Sequence, residues 1–201
     1  MTAAGEAQKH TATPPPKFTV VSRIFHWLTA ILIFAALLIG FTMVHSLAGY
    51  AALRAVHMSI GALVLGVAAL RIINRTRHHP PAWPPTVGRI EGRVVIWTER
   101  AMYALLLTQP LVGWAMVSAS GTPVRVFSAV CLPPIAPFNA TIFSVLRESH
   151  SVLAYALVVI VAAHVSSVLA HSAALGDGML RRMTFGIGSS DTGAARTPDA
   201  G

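Results

Sequence analysis

Residues 149–170 read SHSVLAYALVVIVAAHVSSVLA, an apolar run long enough to cross a lipid bilayer as one helix. The run contains two histidines, His150 and His164, which lie 14 residues apart. On an α-helix this separation is about four turns and about 21 Å, so both imidazoles are expected on one face at different depths. Because an imidazole in hydrocarbon needs a compensating bond, the spacing predicts two metal-ligand sites, one above the other.

Three further apolar runs have the length of membrane-spanning helices. With the first run, the predicted spans are residues 24–44, 53–73, 101–120 and 149–170. Hydrophobic residues make up 54% of the chain and charged residues 11%, a balance that excludes an ordinary soluble domain. Since backbone groups in lipid must be hydrogen-bonded within their own segment, the four runs predict an all-α, integral membrane four-helix bundle.

The positive charge of the chain, formally +8, is distributed unevenly between the loops. Twelve of the 15 lysines and arginines fall on one side of the predicted topology: Lys9, Lys17, Arg23, Arg71, Arg75, Arg77, Arg89, Arg93, Arg100, Arg181, Arg182 and Arg196. The other side holds Arg54, Arg125 and Arg147. By the positive-inside rule, both termini and the central loop are expected in the cytoplasm. The charge therefore indicates orientation in a membrane, and no nucleic-acid partner is expected.

The domain organisation predicted from composition is one membrane domain at residues 18–183. The tails at residues 1–17 and 184–201 are small and polar, a composition that favours disorder. Three prolines at residues 14–16 precede the first span and argue against a cleaved signal peptide. The proline-rich stretch at residues 74–93 is expected to be an extended connection. Residues 121–148 form the longest outward segment, and their apolar content predicts that they fold onto the membrane surface or cap a cavity.

Four of the nine histidines lie within the predicted spans. The topology places His57 level with His150 near the outer surface, and His26 level with His164 near the inner one. A single buried histidine is more often a structural hydrogen-bond donor, but four at two matched depths favour two ligand pairs. His171, seven residues after His164 on nearly the same face, remains open as an alternative inner ligand.

The absence of other metal-binding side chains near the histidines indicates which kind of metal centre they hold. Imidazole binds iron, copper, nickel or zinc, and no cysteine or carboxylate is expected at either level. Two axial histidines alone suit a haem, since its porphyrin supplies the other four ligands. No Cys-x-x-Cys-His motif for covalent attachment occurs, so we predict two haem b groups with His26, His57, His150 and His164 as iron ligands. The haem propionates require cations, and the candidates are Arg71, Arg75, Arg54 and Arg147.

Several segments together carry a family resemblance. They are Phe25-His26-Trp27-Leu28, Val56-His57-Met58-Ser59-Ile60-Gly61 with Leu70-Arg71, Pro110-Leu111-Val112-Gly113, His150-Ser151-Val152-Leu153-Ala154 with His164, Leu169 and His171, and Asp177-Gly178-Met179-Leu180-Arg181-Arg182-Met183. In these residues the chain resembles the bacterial cytochrome b561 proteins, four-helix dihaem membrane cytochromes, over residues 18–183. One departure is Glu99, four residues before Tyr103, where the family often has a histidine.

The function expected from these features is transmembrane electron transfer, because a bis-histidine haem has no open position for oxygen. The resemblance implies a bacterial inner membrane, a respiratory chain and electron exchange with a membrane quinone. Some members are similar to enzymes that pass electrons from superoxide to quinone. Superoxide is an anion, and the outer arginines would attract it. No catalytic residue is assigned, and whether the chain is itself an enzyme stays open. The alternatives are a non-enzymatic haem-b anchor subunit for a redox partner protein, and a small proton-coupled transporter.

Overall fold

The protein forms four long helices in a computed structural model. The structure describes residues 18–45, 49–77, 88–175 and 183–184. They are α1 (Val20–His45), α2 (Tyr50–Arg77), α3 (Arg89–Ala119) and α4 (Ala140–Ala170), and a π-helical turn at His171–Leu175 continues α4. All four helices are long and apolar enough to cross a membrane. The predicted all-α membrane bundle is thus confirmed. The predicted tails, apart from Thr184, lie outside the described residues.

The helices extend beyond the apolar runs that predicted them. Helix α3 begins at Arg89 instead of residue 101, and α4 begins at Ala140 instead of residue 149. The extended connection predicted for residues 74–93 is therefore wrong at both ends, since α2 continues to Arg77. The reason is physical: hydropathy detects only the part of a helix that crosses hydrocarbon, whereas backbone hydrogen bonding continues where long charged side chains reach the interface.

The helices pack in chain order, α1 against α2, α2 against α3, and α3 against α4. Their buried core is a layer with one side chain from each helix: Ile33, Val64, Leu106 and Leu157, joined by Ala68. Within the described residues, the backbones of α1 and α2 scarcely approach that of α4. The bundle therefore leaves space between α4 and the first two helices.

A short hairpin closes one end of the bundle, which we call the hairpin end. Its strands are β1 (Val124–Val126) and β2 (Val130–Leu132), paired antiparallel. Val124 and Val126 are buried against the helices, and the Phe127 backbone N–H donates to Ser59 Oγ on α2 at 2.8 Å. Part of the segment expected to fold down or cap a cavity thus packs onto α2. The opposite end, where α1 begins and α4 ends, is called the termini end.

Candidate functional site

Two pairs of histidines face each other inside the bundle. At the hairpin end, the ring centroids of His57 on α2 and His150 on α4 are 6.2 Å apart. At the termini end, those of His26 on α1 and His164 on α4 are 6.4 Å apart. The structure thus brings together the two pairs that the topology predicted. We call them the hairpin-end site and the termini-end site.

These separations fit two imidazoles that bind one metal ion from opposite sides. An imidazole centroid lies about 1.1 Å behind its ring nitrogen and a metal–nitrogen bond measures about 2.0 Å, so the two centroids would be about 6.2 Å apart. The observed values of 6.2 and 6.4 Å agree with that geometry. The alternative is a direct hydrogen bond between two neutral histidines, in which a ring nitrogen of one imidazole donates to a ring nitrogen of the other.

The surroundings of the pairs indicate what kind of metal centre they suit. Among the described residues, no group of three or more His, Cys, Asp or Glu side chains could hold a bare metal ion. A haem needs only two protein ligands, and its flat ring needs space between helices. Both pairs bridge α4 to a helix that does not pack closely against it, α2 at one level and α1 at the other. The residues present therefore fit two haems.

Glycines enclose the imidazoles at the hairpin-end site. A Cβ atom on Gly40 of α1 would lie 3.3 Å from Cε1 of His57, and one on Gly113 of α3 would lie 3.0 Å from Cε1 of His150. The two glycines therefore leave room for the imidazoles of the hairpin-end site.

Charged side chains surround the termini-end site. Arg71 Nη2 on α2 donates to Nδ1 of His26 at 3.1 Å, and its guanidinium lies over the Tyr103 ring, 5.4 Å from the centroid. Arg75, one turn further on, forms two hydrogen bonds of 3.0 Å with the Glu99 carboxylate. Two of the four arginines expected to bind propionates, Arg71 and Arg75, thus also have partners inside the bundle.

The structure separates His164 from the alternative ligand His171. His164 faces His26, whereas the His171 Nε2–H donates to the Glu91 carboxylate at the start of α3, at 2.5 Å. The second oxygen of Glu91 accepts from the Gly88 backbone N–H at 3.2 Å. His171 therefore links the end of α4 to the start of α3. The contact joins residues 80 positions apart, and no local pattern in the sequence indicated it.

A regular spacing underlies both sites. On α1, α2 and α4, the residues at the two levels are 14 positions apart: His26 and Gly40, His57 and Arg71, His150 and His164. The midpoints of these intervals, Ile33, Val64 and Leu157, are the buried core residues of their helices. The interval of 14 residues between His57 and Arg71 could have indicated that Arg71 lies at the level of the other histidine pair. The contact of Arg71 with His26 was not predicted, and neither was that of Gln109, whose Nε2 donates to the His150 carbonyl at 3.0 Å.

Comparisons with known proteins agree with this geometry. The family model described as prokaryotic cytochrome b561 matches residues 17–186. Cytochrome b561 homolog 2 of Escherichia coli (strain K12) is 28% identical over 182 residues, which cover 89% of this chain and 96% of that protein. The matched range includes all four helices and both histidine pairs. The resemblance found in the sequence motifs is confirmed.

Proposed function

We propose that this chain, which belongs to the prokaryotic cytochrome b561 family, carries two haems in series. The family is one of haem-b electron-transfer proteins of the bacterial inner membrane. In this proposal, His57 and His150 bind the haem of the hairpin-end site, and His26 and His164 bind that of the termini-end site. The observation that carries the proposal is the match of both centroid separations, 6.2 and 6.4 Å, to axial ligation. When bound, such haems exchange single electrons and leave no position for oxygen.

We propose that the hairpin end faces outward and that both termini are cytoplasmic. Arg54 and Arg125 lie at the hairpin end, whereas Arg71, Arg75, Arg77, Arg89, Arg93 and Arg100 lie toward the other. This asymmetry supports the orientation by the positive-inside rule. The hairpin-end haem would then exchange electrons with the periplasm, and the termini-end haem with the cytoplasmic leaflet.

The electron donor that the hairpin end suits best is a small anion, and we propose superoxide. A pocket of about 280 Å³ is lined there by Ala51, Arg54, Ala55, Met58, Thr122, Pro123 and Arg125. Arg54 lies about one helical turn before His57 on α2. Two guanidinium groups at a pocket without a carboxylate attract an anion toward the adjacent site. Each superoxide loses one electron and leaves as dioxygen.

The electron acceptor proposed for the termini end is a membrane quinone. A groove of about 520 Å³ between α2 and α3 is lined by Ile72, Arg75, Thr76, Ile96, Glu99, Arg100 and Tyr103. Its apolar walls suit a quinone ring, and its hydroxyl and charged groups suit the carbonyl oxygens. Tyr103 connects the groove to His26 through Arg71. Two electrons and two protons convert one quinone to quinol, so two superoxide anions are consumed per quinol.

The test uses the purified chain in lipid nanodiscs with a short-chain quinone and a pulse of superoxide. We expect reduction of haem and one quinol for two superoxide anions. The double variant R54Q/R125Q should lower the second-order rate constant for superoxide about tenfold or more and weaken its dependence on ionic strength. The control R77Q/R93Q removes the same charge from the termini end and should leave that rate constant unchanged.

Two outcomes would refute the superoxide assignment. One is a haem-loaded protein that superoxide does not reduce. The other is a protein that transfers electrons only when a tightly bound partner co-purifies, which is the behaviour of an anchor subunit in a larger oxidoreductase. A colourless protein obtained with ample haem supply would refute the dihaem proposal and favour the transporter.

A further inference from the structure

The two histidine pairs differ in the charge of their immediate neighbours. At the termini-end site the Arg71 guanidinium donates to His26 Nδ1 at 3.1 Å and lies over the Tyr103 ring. At the hairpin-end site the groups against the imidazoles are the glycines Gly40 and Gly113. The polar contact there is neutral, from the Gln109 amide to the His150 carbonyl. One site thus has a cation in contact with a proposed ligand, whereas at the other Arg54 and Arg125 line the neighbouring pocket and the described contacts of the imidazoles are uncharged.

The described carboxylate near the termini-end site does not cancel the charge of Arg71. Glu99 forms two hydrogen bonds of 3.0 Å with Arg75, so these two charges offset each other. Arg71 itself is partly buried, between an aromatic ring and an imidazole. A cation in such surroundings is screened less than one in water, so its field acts strongly on adjacent groups.

A neighbouring cation affects a haem in a known direction. Reduction adds one electron to the iron, and a nearby positive charge stabilises the reduced form relative to the oxidised one. Local charge and hydrogen bonds to the axial ligands are among the means by which proteins set haem potentials. Arg71, the group in contact with His26, supplies a positive charge.

We propose that Arg71, held between the Tyr103 ring and His26, gives the termini-end haem the higher reduction potential of the two. The inference rests on the proposed dihaem function and adds to it the residue that favours electron flow in the proposed direction. An electron that enters at the hairpin end then moves downhill to the termini end, beside the groove proposed for quinone. Arg71 acts here as a positioning and electrostatic residue, with no bond to substrate.

The experiment is a redox titration of single-site proteins, followed by optical absorbance. His57→Ala leaves the termini-end haem as the component to be titrated, and His26→Ala leaves the hairpin-end haem. We expect the midpoint potential of the first to exceed that of the second. In the His57→Ala background, R71Q keeps a hydrogen-bond donor but removes the charge, and R71K keeps the charge.

The expected result is a lower midpoint for R71Q, with an equilibrium constant for reduction at least tenfold smaller, which is about 59 mV for one electron. R71K should retain most of the wild-type midpoint. R77Q is the matched control, because it removes the same charge from an exposed position on the same helix. Its midpoint should equal that of the parent.

The inference would be overturned by an unchanged midpoint in R71Q, by an equal fall in R71K and R71Q, or by a wild-type termini-end haem with the lower potential. Loss of the termini-end haem in R71Q but not in R71K would assign the charge to haem binding and would also overturn it. A pyridine haemochrome assay of the wild-type chain separates these results from a failure of the dihaem proposal, which would appear as fewer than two haems per chain.

Discussion

Gly113 on α3 lies directly against the imidazole of His150 on α4, and a methyl group at this glycine would be 3.0 Å from Cε1 and 3.3 Å from Nδ1 of the ring. These distances are too short for a side chain to be added without moving the imidazole. The position of His150 therefore depends on the absence of a side chain on the neighbouring helix.

The substitution Gly113→Ala should weaken the hairpin-end haem while sparing the termini-end haem. The added methyl displaces the His150 ring at a cost of about 1–3 kcal/mol, as overpacking does in other interiors. Haem content and absorbance spectra measure the effect. Gly66→Ala is the control, since a Cβ there would meet no atom within 4 Å, and its haem content should be that of the wild type. Equal haem loss in both variants would contradict the role of Gly113.

Single histidine substitutions should sort into two spectral classes. His57→Ala and His150→Ala are each expected to remove the hairpin-end haem, because either change removes one of its two proposed axial ligands. His26→Ala and His164→Ala should remove the termini-end haem instead. Difference spectra of the reduced proteins distinguish the two components. The pairing would be wrong if His57→Ala and His164→Ala depleted one common component.

The core layer between the two sites should support both of them. Leu106 is 2% exposed and packs against side chains of the other helices. Leu106→Ala leaves a cavity in this layer and should destabilise the protein by about 2–5 kcal/mol. Thermal unfolding in detergent, followed by loss of haem absorbance, measures the change. Leu111→Ala is the control at a position 41% exposed, where the expected change is within about 0.5 kcal/mol.

Reporter fusions test the proposed orientation. Alkaline phosphatase is active only after export, so its fusion to the C-terminus should be inactive, while a fluorescent protein at the same site should be fluorescent. Phosphatase inserted at Ser128, in the hairpin turn, should be active. This result follows from the excess of arginines at the termini end. An active phosphatase at the C-terminus would reverse the orientation and exchange the sides of the proposed donor and acceptor.

The sequence alone determined the number of helices and which histidines of the four helices face each other. Hydropathy marks the part of each helix that crosses hydrocarbon, and the helical repeat places His150 and His164 on one face. Both are local properties along a single helix. Alternation of direction between successive helices then matches His57 with His150 in depth, and His26 with His164.

Only the tertiary structure decided which side chains surround each imidazole. It placed Arg71 against His26, Gly113 against His150, and Glu91 against His171. These neighbours depend on which helices are adjacent and on how each is rotated about its axis. Both depend on packing between residues far apart in the chain, and the period of one helix carries no information about the side chains of another. The charge difference between the two sites therefore became visible only when the helices were assembled.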